Sequence, residues 1–236
     1  SLLGQYKNIL ILAGPQVDIA EVNSILSFAA ALQAPILADP LSNVRRGYNS
    51  VDSHRDEDCI DASNAVISTY DAFLADKELW PVLKPDCIIQ FGRIVVSKRV
   101  QQMLASWDGV EYIEVNPTSD WMNPTGMTTI HMQANIPVFI NLYGIKQGSS
   151  EYLKKWQYLE HVAKQQLSLA EQESTCFEGR TIQELQKFIP EDSQILVANS
   201  MTIRDFDYFW FSGKSSAVLY GNRGVNGIDG TISTAL

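Results

Sequence analysis

The stretch Asn8-Ile9-Leu10-Ile11-Leu12-Ala13-Gly14-Pro15 decides the fold. An unbroken apolar run closed by Gly-Pro suits a strand buried on both faces, and such strands belong to parallel sheets covered by helices on each side. The residues that follow keep that rhythm. Asp18 can N-cap a helix in which Val22, Ile25, Leu26, Ala29 and Leu32 recur at helical spacing. Pro35 to Ala38 reads as a second strand, ended by Asp39-Pro40, and Cys87 to Phe91 as a third. A helix from about Ser97 to Trp107 comes next, and Val110 to Val115 reads as a fourth strand. The alternation predicts an α/β, Rossmann-like domain with a parallel sheet over residues 1–146.

A sheet of this kind invites a dinucleotide, but the first strand is followed by Ala13-Gly14-Pro15-Gln16 rather than G-x-G-x-x-G. Pro15 also lacks the backbone N–H that a pyrophosphate would use, so classical NAD binding is not expected.

Residues 147–180 read as a connecting helix and linker. From Ser149 to about Glu173 a long amphipathic helix is expected, with Leu153, Trp156, Leu159, Val162 and Ala163 buried and its Lys and Glu residues on the wet face. His161 on it reads as a surface or packing residue rather than a catalytic one. Over residues 181–236 a second αβ pattern opens. It comprises a helix Thr181 to Phe188, a strand Gln194 to Ala198, a helix Ile203 to Phe211 and a strand Ala217 to Tyr220. This is expected to be the start of a second α/β domain whose remainder the chain does not carry. A half-built domain exposes strand edges, which invites self-association.

Composition narrows the partners. The 236 residues are 45% hydrophobic and 19% charged, an ordinary globular balance. A formal charge of −9 speaks against a nucleic-acid surface, although local arginines can still hold small anions. Cys59, Cys87 and Cys176 lie far apart without metal-ligand spacing and are expected as reduced thiols of a cytoplasmic protein. No apolar run approaches the length of a membrane span.

Three clusters carry candidate chemistry. Asn199-Ser200-Met201-Thr202-Ile203-Arg204 follows a strand, in the place where parallel sheets bind ligands. Ser200 can N-cap the next helix, and Arg204 lies one turn in, free for an anion or paired with Asp207. Asn222-Arg223-Gly224-Val225-Asn226-Gly227-Ile228-Asp229-Gly230 follows the next strand and offers a glycine-rich turn with an arginine at its mouth. Ser200, Arg204 and Arg223 thus point to an anion site. Lys98-Arg99 opens a helix whose dipole disfavours cations there, which points to an acidic ligand or partner, the alternative being a solvated basic turn. Arg45-Arg46, ahead of Asp56-Glu57-Asp58, reads as a mobile surface segment.

The run from Asn222 to Gly230 with Ser233-Thr234-Ala235 after it resembles the 2-succinyl-5-enolpyruvyl-6-hydroxy-3-cyclohexene-1-carboxylate synthase family, thiamine-diphosphate enzymes of menaquinone biosynthesis. Asn199-Ser200 with Arg204, and Lys98-Arg99, fit it as well. The resemblance covers the whole chain, as the family's central domain and the first part of its diphosphate-binding domain. It implies a transferase that decarboxylates 2-oxoglutarate and adds the succinyl-semialdehyde unit to isochorismate, with thiamine diphosphate and Mg2+ as cofactors. By the same resemblance, Lys98, Arg99, Ser200, Arg204, Arg223 and Ile228 line the substrate side, and Asn199 and Ser200 approach the cofactor.

The activating glutamate is expected before Ser1, and the metal-binding motif after Leu236. Asp229 is not that metal ligand. The resemblance further implies an active site formed between subunits, and the chain alone is expected to be inactive. Alternatives are another thiamine-diphosphate-dependent 2-oxo acid decarboxylase or carboligase, and a non-catalytic domain. The latter would bind a small acid through Arg45, Arg46, Lys98 and Arg99, or serve assembly.

Overall fold

A computed structural model of the chain describes residues 2–15, 17–46, 62–143, 148–173, 177–222 and 228–236. The acidic stretch Asp56-Glu57-Asp58, Cys59, Cys176, Arg223 and the 146/147 boundary lie outside the described residues. Strands β1 (Ile9–Ala13), β2 (Ile36–Ala38), β3 (Val66–Ile67), β4 (Cys87–Phe91), β5 (Glu111–Asn116) and β6 (Ile130–Gln133) form one six-stranded sheet in the order β3-β2-β1-β4-β5-β6. Every pairing in it is parallel. The α/β expectation therefore holds, and the strand order is that of a doubly wound sheet.

Period-2 alternation explains why β1 is apolar throughout. Ile9, Ile11 and Ala13 face one core, and Leu10 and Leu12 the other. On the first face α1 (Val22–Leu32) and α5 (Ile136–Tyr143) pack down, and Phe28, Phe91 and Phe139 meet edge to face. On the second lie α2 (Tyr70–Phe73), α3 (Leu79–Val82), α4 (Lys98–Ala105) and α6 (Ser150–Glu173), which bring Tyr70, Trp80, Met103 and Trp156 onto Leu10, Ile88 and Tyr112. Cys87 is buried on the first face, and burial pushes its thiol up to about 12, so it is inert.

Two strands of this sheet escape the sequence reading for physical reasons. β3 is only two residues long, and β6 sits on an open edge, half buried and ending in the exposed Gln133. The long helix needs a correction. Periodicity assigns Glu160 to its wet face, yet Glu160 is buried and accepts hydrogen bonds from the backbone and hydroxyls of Ser68 and Thr69.

The crevice between β1 and β4, where the strand order reverses, is closed by backbone. Gly14 N–H donates to Phe91 O at 2.9 Å, and Arg93 N–H to Pro15 O at 2.8 Å. A Cβ on Gly14 would stand 1.5 Å from Arg93 O. This close approach of backbone is what requires a residue without a Cβ at Gly14.

A second, two-stranded parallel sheet is formed by β7 (Gln194–Val197) and β8 (Val218–Gly221), with α7 (Glu178–Phe188) and α8 (Met201–Phe209) beside it. Leu41, from the loop after β2, enters the apolar cluster of Ile182, Val197, Ile203, Phe206, Trp210, Ala217 and Leu219. The carboxyl edge of the six-stranded sheet is thus capped by protein around β2.

Arg45 is the centre of that contact and overturns its reading as part of a mobile surface segment. It is 1% exposed. Its Nε donates to Ala38 O at 2.6 Å, Nη1 to the carbonyls of Asp207 (2.8 Å) and Trp210 (2.9 Å), and Nη2 to Asp207 Oδ1 at 2.6 Å. A cation among the last carbonyls of α8 is where the helix dipole favours one. Arg46 is tied down too, through Nε to Ser216 O at 2.8 Å. Asn43 Oδ1 accepts from Leu219 N at 3.0 Å, completing the seam.

Candidate functional site

The site is built at the carboxyl ends of β7 and β8. After β7 the chain turns through Ala198, Asn199 and Ser200 into α8, and Ser200 occupies φ 70°, ψ −126°. That region is unfavourable for any residue with a Cβ and costs on the order of 1–3 kcal/mol. Ser200 stands at the N-cap position, but its side chain makes no cap hydrogen bond, which corrects its expected capping role. The exposed hydroxyl and the first N–H groups of α8 therefore share one opening. Relief of the strain gives a test. Ser200→Gly is expected to raise stability by about 1 kcal/mol in denaturant unfolding; a loss instead would mean the backbone is not strained.

Side-chain amides hold the surrounding loops. Asn199 Nδ2 donates to Asn222 O at 3.0 Å, bridging the two strand ends. Asn222 Nδ2 in turn donates to Thr234 Oγ1 at 3.1 Å, fixing α9 (Thr231–Ala235) to the end of β8. Ile228 lies just before α9 and is 61% exposed, an apolar side chain left facing outward at this edge. Nothing in the composition of Asn222 marked it as a tie; only the parallel register of β7 and β8 brings it to Asn199.

Arg204 is exposed on the first turn of α8, with Nη1 3.6 Å from Met201 Sδ. Its expected partner Asp207 faces the interior and belongs to Arg45 and Tyr70, whose hydroxyl donates to Asp207 Oδ1 at 2.5 Å. Burial drives the Asp207 carboxyl up, to about 7, while Arg45 draws it back. Arg204 therefore keeps its guanidinium toward solvent on the same turn that carries Ser200.

Lys98 and Arg99 begin α4, after the end of β4. Ser97 caps this helix by accepting from Val100 N at 3.1 Å and donates to Asp71 Oδ1 at 2.5 Å. Asp71 also holds Arg99, Nη1 to Oδ2 at 2.5 Å. Arg99, a cation that the helix dipole disfavours there, thus has an acidic partner within the protein. On α8, burial raises the Tyr208 hydroxyl while the Arg99 charge draws it back. Lys98 is exposed beside Arg99.

Asn199, Ser200, Arg204 and Ile228 thus share the edge of the small sheet, with Arg99 one helix away. Among the described residues no three His, Cys, Asp or Glu side chains gather as metal ligands would. No helix among them is long and apolar enough to cross a membrane. Arg45 and Arg46 are structural, which removes two of the four anchors, Arg45, Arg46, Lys98 and Arg99, expected of a small-acid sensor in residues 1–146.

A family model described as "Middle domain of thiamine pyrophosphate" matches residues 4–197. Among curated proteins, the 2-succinyl-5-enolpyruvyl-6-hydroxy-3-cyclohexene-1-carboxylate synthase of Lactococcus lactis subsp. lactis is 43% identical over 228 residues, 96% of this chain and 38% of the relative. That of Lactococcus lactis subsp. cremoris is 45% identical over 228 residues, 96% of this chain and 39% of the relative. The synthase of Desulfitobacterium hafniense is 37% identical over 237 residues, covering 100% of this chain and 40% of the relative. The chain spans about two fifths of the length of these relatives.

Proposed function

Because the chain belongs to the family of thiamine pyrophosphate enzyme middle domains, we propose that it serves a 2-succinyl-5-enolpyruvyl-6-hydroxy-3-cyclohexene-1-carboxylate synthase of menaquinone biosynthesis. In this reading residues 1–146 are the central domain, 147–180 the connection, and 181–236 the first part of the diphosphate-binding domain. The substrates are 2-oxoglutarate and isochorismate, both dicarboxylates. One observation carries the assignment of a site to this chain: the strained Ser200 opens α8 at a strand end, with the unpaired face of Arg204 one turn away.

The residues fit part of a thiamine diphosphate site. A helix start with its serine hydroxyl uncommitted to capping, beside an amide-braced loop, leaves donors facing the opening. Thiamine diphosphate supplies the carbanion chemistry when bound. Asn199 and Ser200 would border it, their backbone and hydroxyl donors facing its anionic end.

The chain's own residues bind and orient the acids. Arg204 and Arg223 take substrate carboxylates in bidentate pairs, which fix direction as well as charge. Ile228 packs on the carbon skeleton. Lys98 and Arg99 approach from the central domain, Arg99 exchanging Asp71 for a substrate carboxylate.

The test uses the full-length enzyme supplied with isochorismate, 2-oxoglutarate, thiamine diphosphate and magnesium. Arg204→Ala is expected to lower kcat/KM about 10–100-fold, mostly through KM, the loss of one charge-assisted pair. Unchanged kinetics would remove Arg204 from the site. Turnover of a different 2-oxo acid in place of these substrates would make the protein another carboligase of the same cofactor.

A further inference from the structure

Far from the opening of α8, a cavity of about 80 Å3 lies between α6, α7 and the turn that follows α8. Gln183 of α7 lines it, 5% exposed, with both Oε1 and Nε2 buried and without a hydrogen-bond partner. Its neighbour Gln186 shows how the fold treats a buried amide it needs for itself. There, Nε2 donates to Phe211 O at 2.7 Å and Oε1 accepts from Phe211 N at 3.1 Å. A buried primary amide left open on both atoms calls for an occupant that accepts one hydrogen bond and donates another.

The walls add charge. Lys187 and Lys214 line the cavity with one lining carboxylate, Glu171, and Lys187 also holds Glu184 beside it at 2.9 Å. Lys187 Nζ holds Glu171 at 3.0 Å, which leaves Lys214, exposed at the rim, as the ammonium group to meet an anion. Ser168 adds a hydroxyl. At roughly 10–15 Å3 for each water-sized position, the volume admits roughly five to eight non-hydrogen atoms.

We propose that this cavity binds inorganic phosphate. Hydrogen phosphate has five non-hydrogen atoms (about the lower bound of that estimate). Its charged oxygens accept from Gln183 Nε2, Ser168 Oγ and Lys214 Nζ, while its remaining P–OH donates to Gln183 Oε1. Sulfate has no proton to give at neutral pH, and a phosphomonoester carries close to two charges there and has largely lost its own. The amide thus selects free phosphate over both.

The experiment is a titration of the isotope-labelled chain at neutral pH, followed by the NMR signals of the Gln183 side-chain amide. Inorganic phosphate is the probe, with sulfate and glycerol phosphate in parallel. Saturable shifts with phosphate are expected, with about tenfold or more weaker binding of the other two, because each leaves Oε1 buried and unpaired. Backbone shifts of the surrounding helices should report no binding in Gln183→Leu, a similarly sized apolar replacement that removes the open amide and keeps the fold. Lys214→Ala, at the exposed rim, should weaken it. No saturable shift at millimolar phosphate would mean a cavity holding water only, and would overturn the proposal. Equal affinity for sulfate, or unchanged binding in Gln183→Leu, would overturn it as well.

Discussion

Arg45→Ala is expected to cost the chain about 3–5 kcal/mol in denaturant unfolding, the range for breaking a buried ion pair from one side. The loss is large because one guanidinium serves the end of β2, the last carbonyls of α8 and the Asp207 carboxylate together. Alanine removes the cation from all of them and leaves the buried Asp207 carboxyl with the Tyr70 hydroxyl but no charge partner. A replacement of both partners, Arg45→Met with Asp207→Leu, is expected to recover most of the stability, since apolar side chains leave no charge stranded. Asp207→Ala and the double alanine variant complete the cycle that isolates the pair.

The sign of the pH effect follows from Asp207. Burial already raises its carboxyl, to about 7, and removing Arg45 removes the group that draws it back. A raised folded-state value means stability that is full below the ordinary carboxylate range and is lost as pH rises through the folded value. The Arg45→Ala deficit should therefore grow from mildly acidic to mildly alkaline solution. A deficit that shrinks with rising pH would show that Asp207 is not left charged and buried. On the proposed function, the same variant should impair turnover by the full-length protein, because α8 carries Ser200 and Arg204 at its other end.

Glu160→Ala is expected to cost about 3 kcal/mol. Oε1 accepts from Ser68 Oγ at 2.7 Å, and Oε2 from Thr69 N at 2.8 Å and Thr69 Oγ1 at 2.6 Å. Lys164 Nζ lies 2.9 Å away, one turn along the same helix. The carboxylate thereby closes the turn between β3 and α2 and fastens α6 to it. Burial alone would raise its pKa, but Lys164 and the bonds from Thr69 and Ser68 outweigh burial and hold it below the usual value. A depressed carboxylate contributes fully above about 4.3, the ordinary glutamate value, and loses that contribution as pH falls through the folded one. The gap between wild type and Glu160→Gln should thus narrow in acid. A gap independent of pH would mean the charge is not what the turn requires.

Much of the fold was legible. Period-2 and period-3.6 apolar patterns depend only on which residues neighbour one another along the chain, so β1, β2, β4, β5, β7 and β8 and most of the long helices were found with small shifts in their ends. Strand β8 runs Val218–Gly221 where Ala217 to Tyr220 was expected, and α8 starts at Met201 instead of Ile203. A strand of two residues has no period to detect, and an edge strand such as β6 needs no apolar run, so β3 and β6 left no signal.

Of the site, the residue types and the strand-end positions were readable. Asn199, Ser200 and Arg204 follow a strand, and a strand end in a parallel sheet is a ligand position whatever the rest of the chain does. The positive φ of Ser200 was hidden, because serine is an ordinary helix opener and its sequence suggests a cap. The roles of charged residues were the least readable. Arg45, Arg204 and Arg99 look alike in sequence, yet one is buried against Asp207, one is exposed, and one is held by Asp71.

The sequence by itself determined the α/β class, the parallel sheet, the lack of a dinucleotide fingerprint and the strand ends where an anion site can form. These follow from local spacing, which hydrophobic burial converts directly into elements. Tertiary structure alone decided which cations are free and which are consumed: the partners of Arg45 on α8 and its end lie 161 to 165 residues away, and that of Arg99 lies 28 away. A charge's function depends on what shares its low-dielectric surroundings, and distance in space, unlike period, is not written in the order of residues.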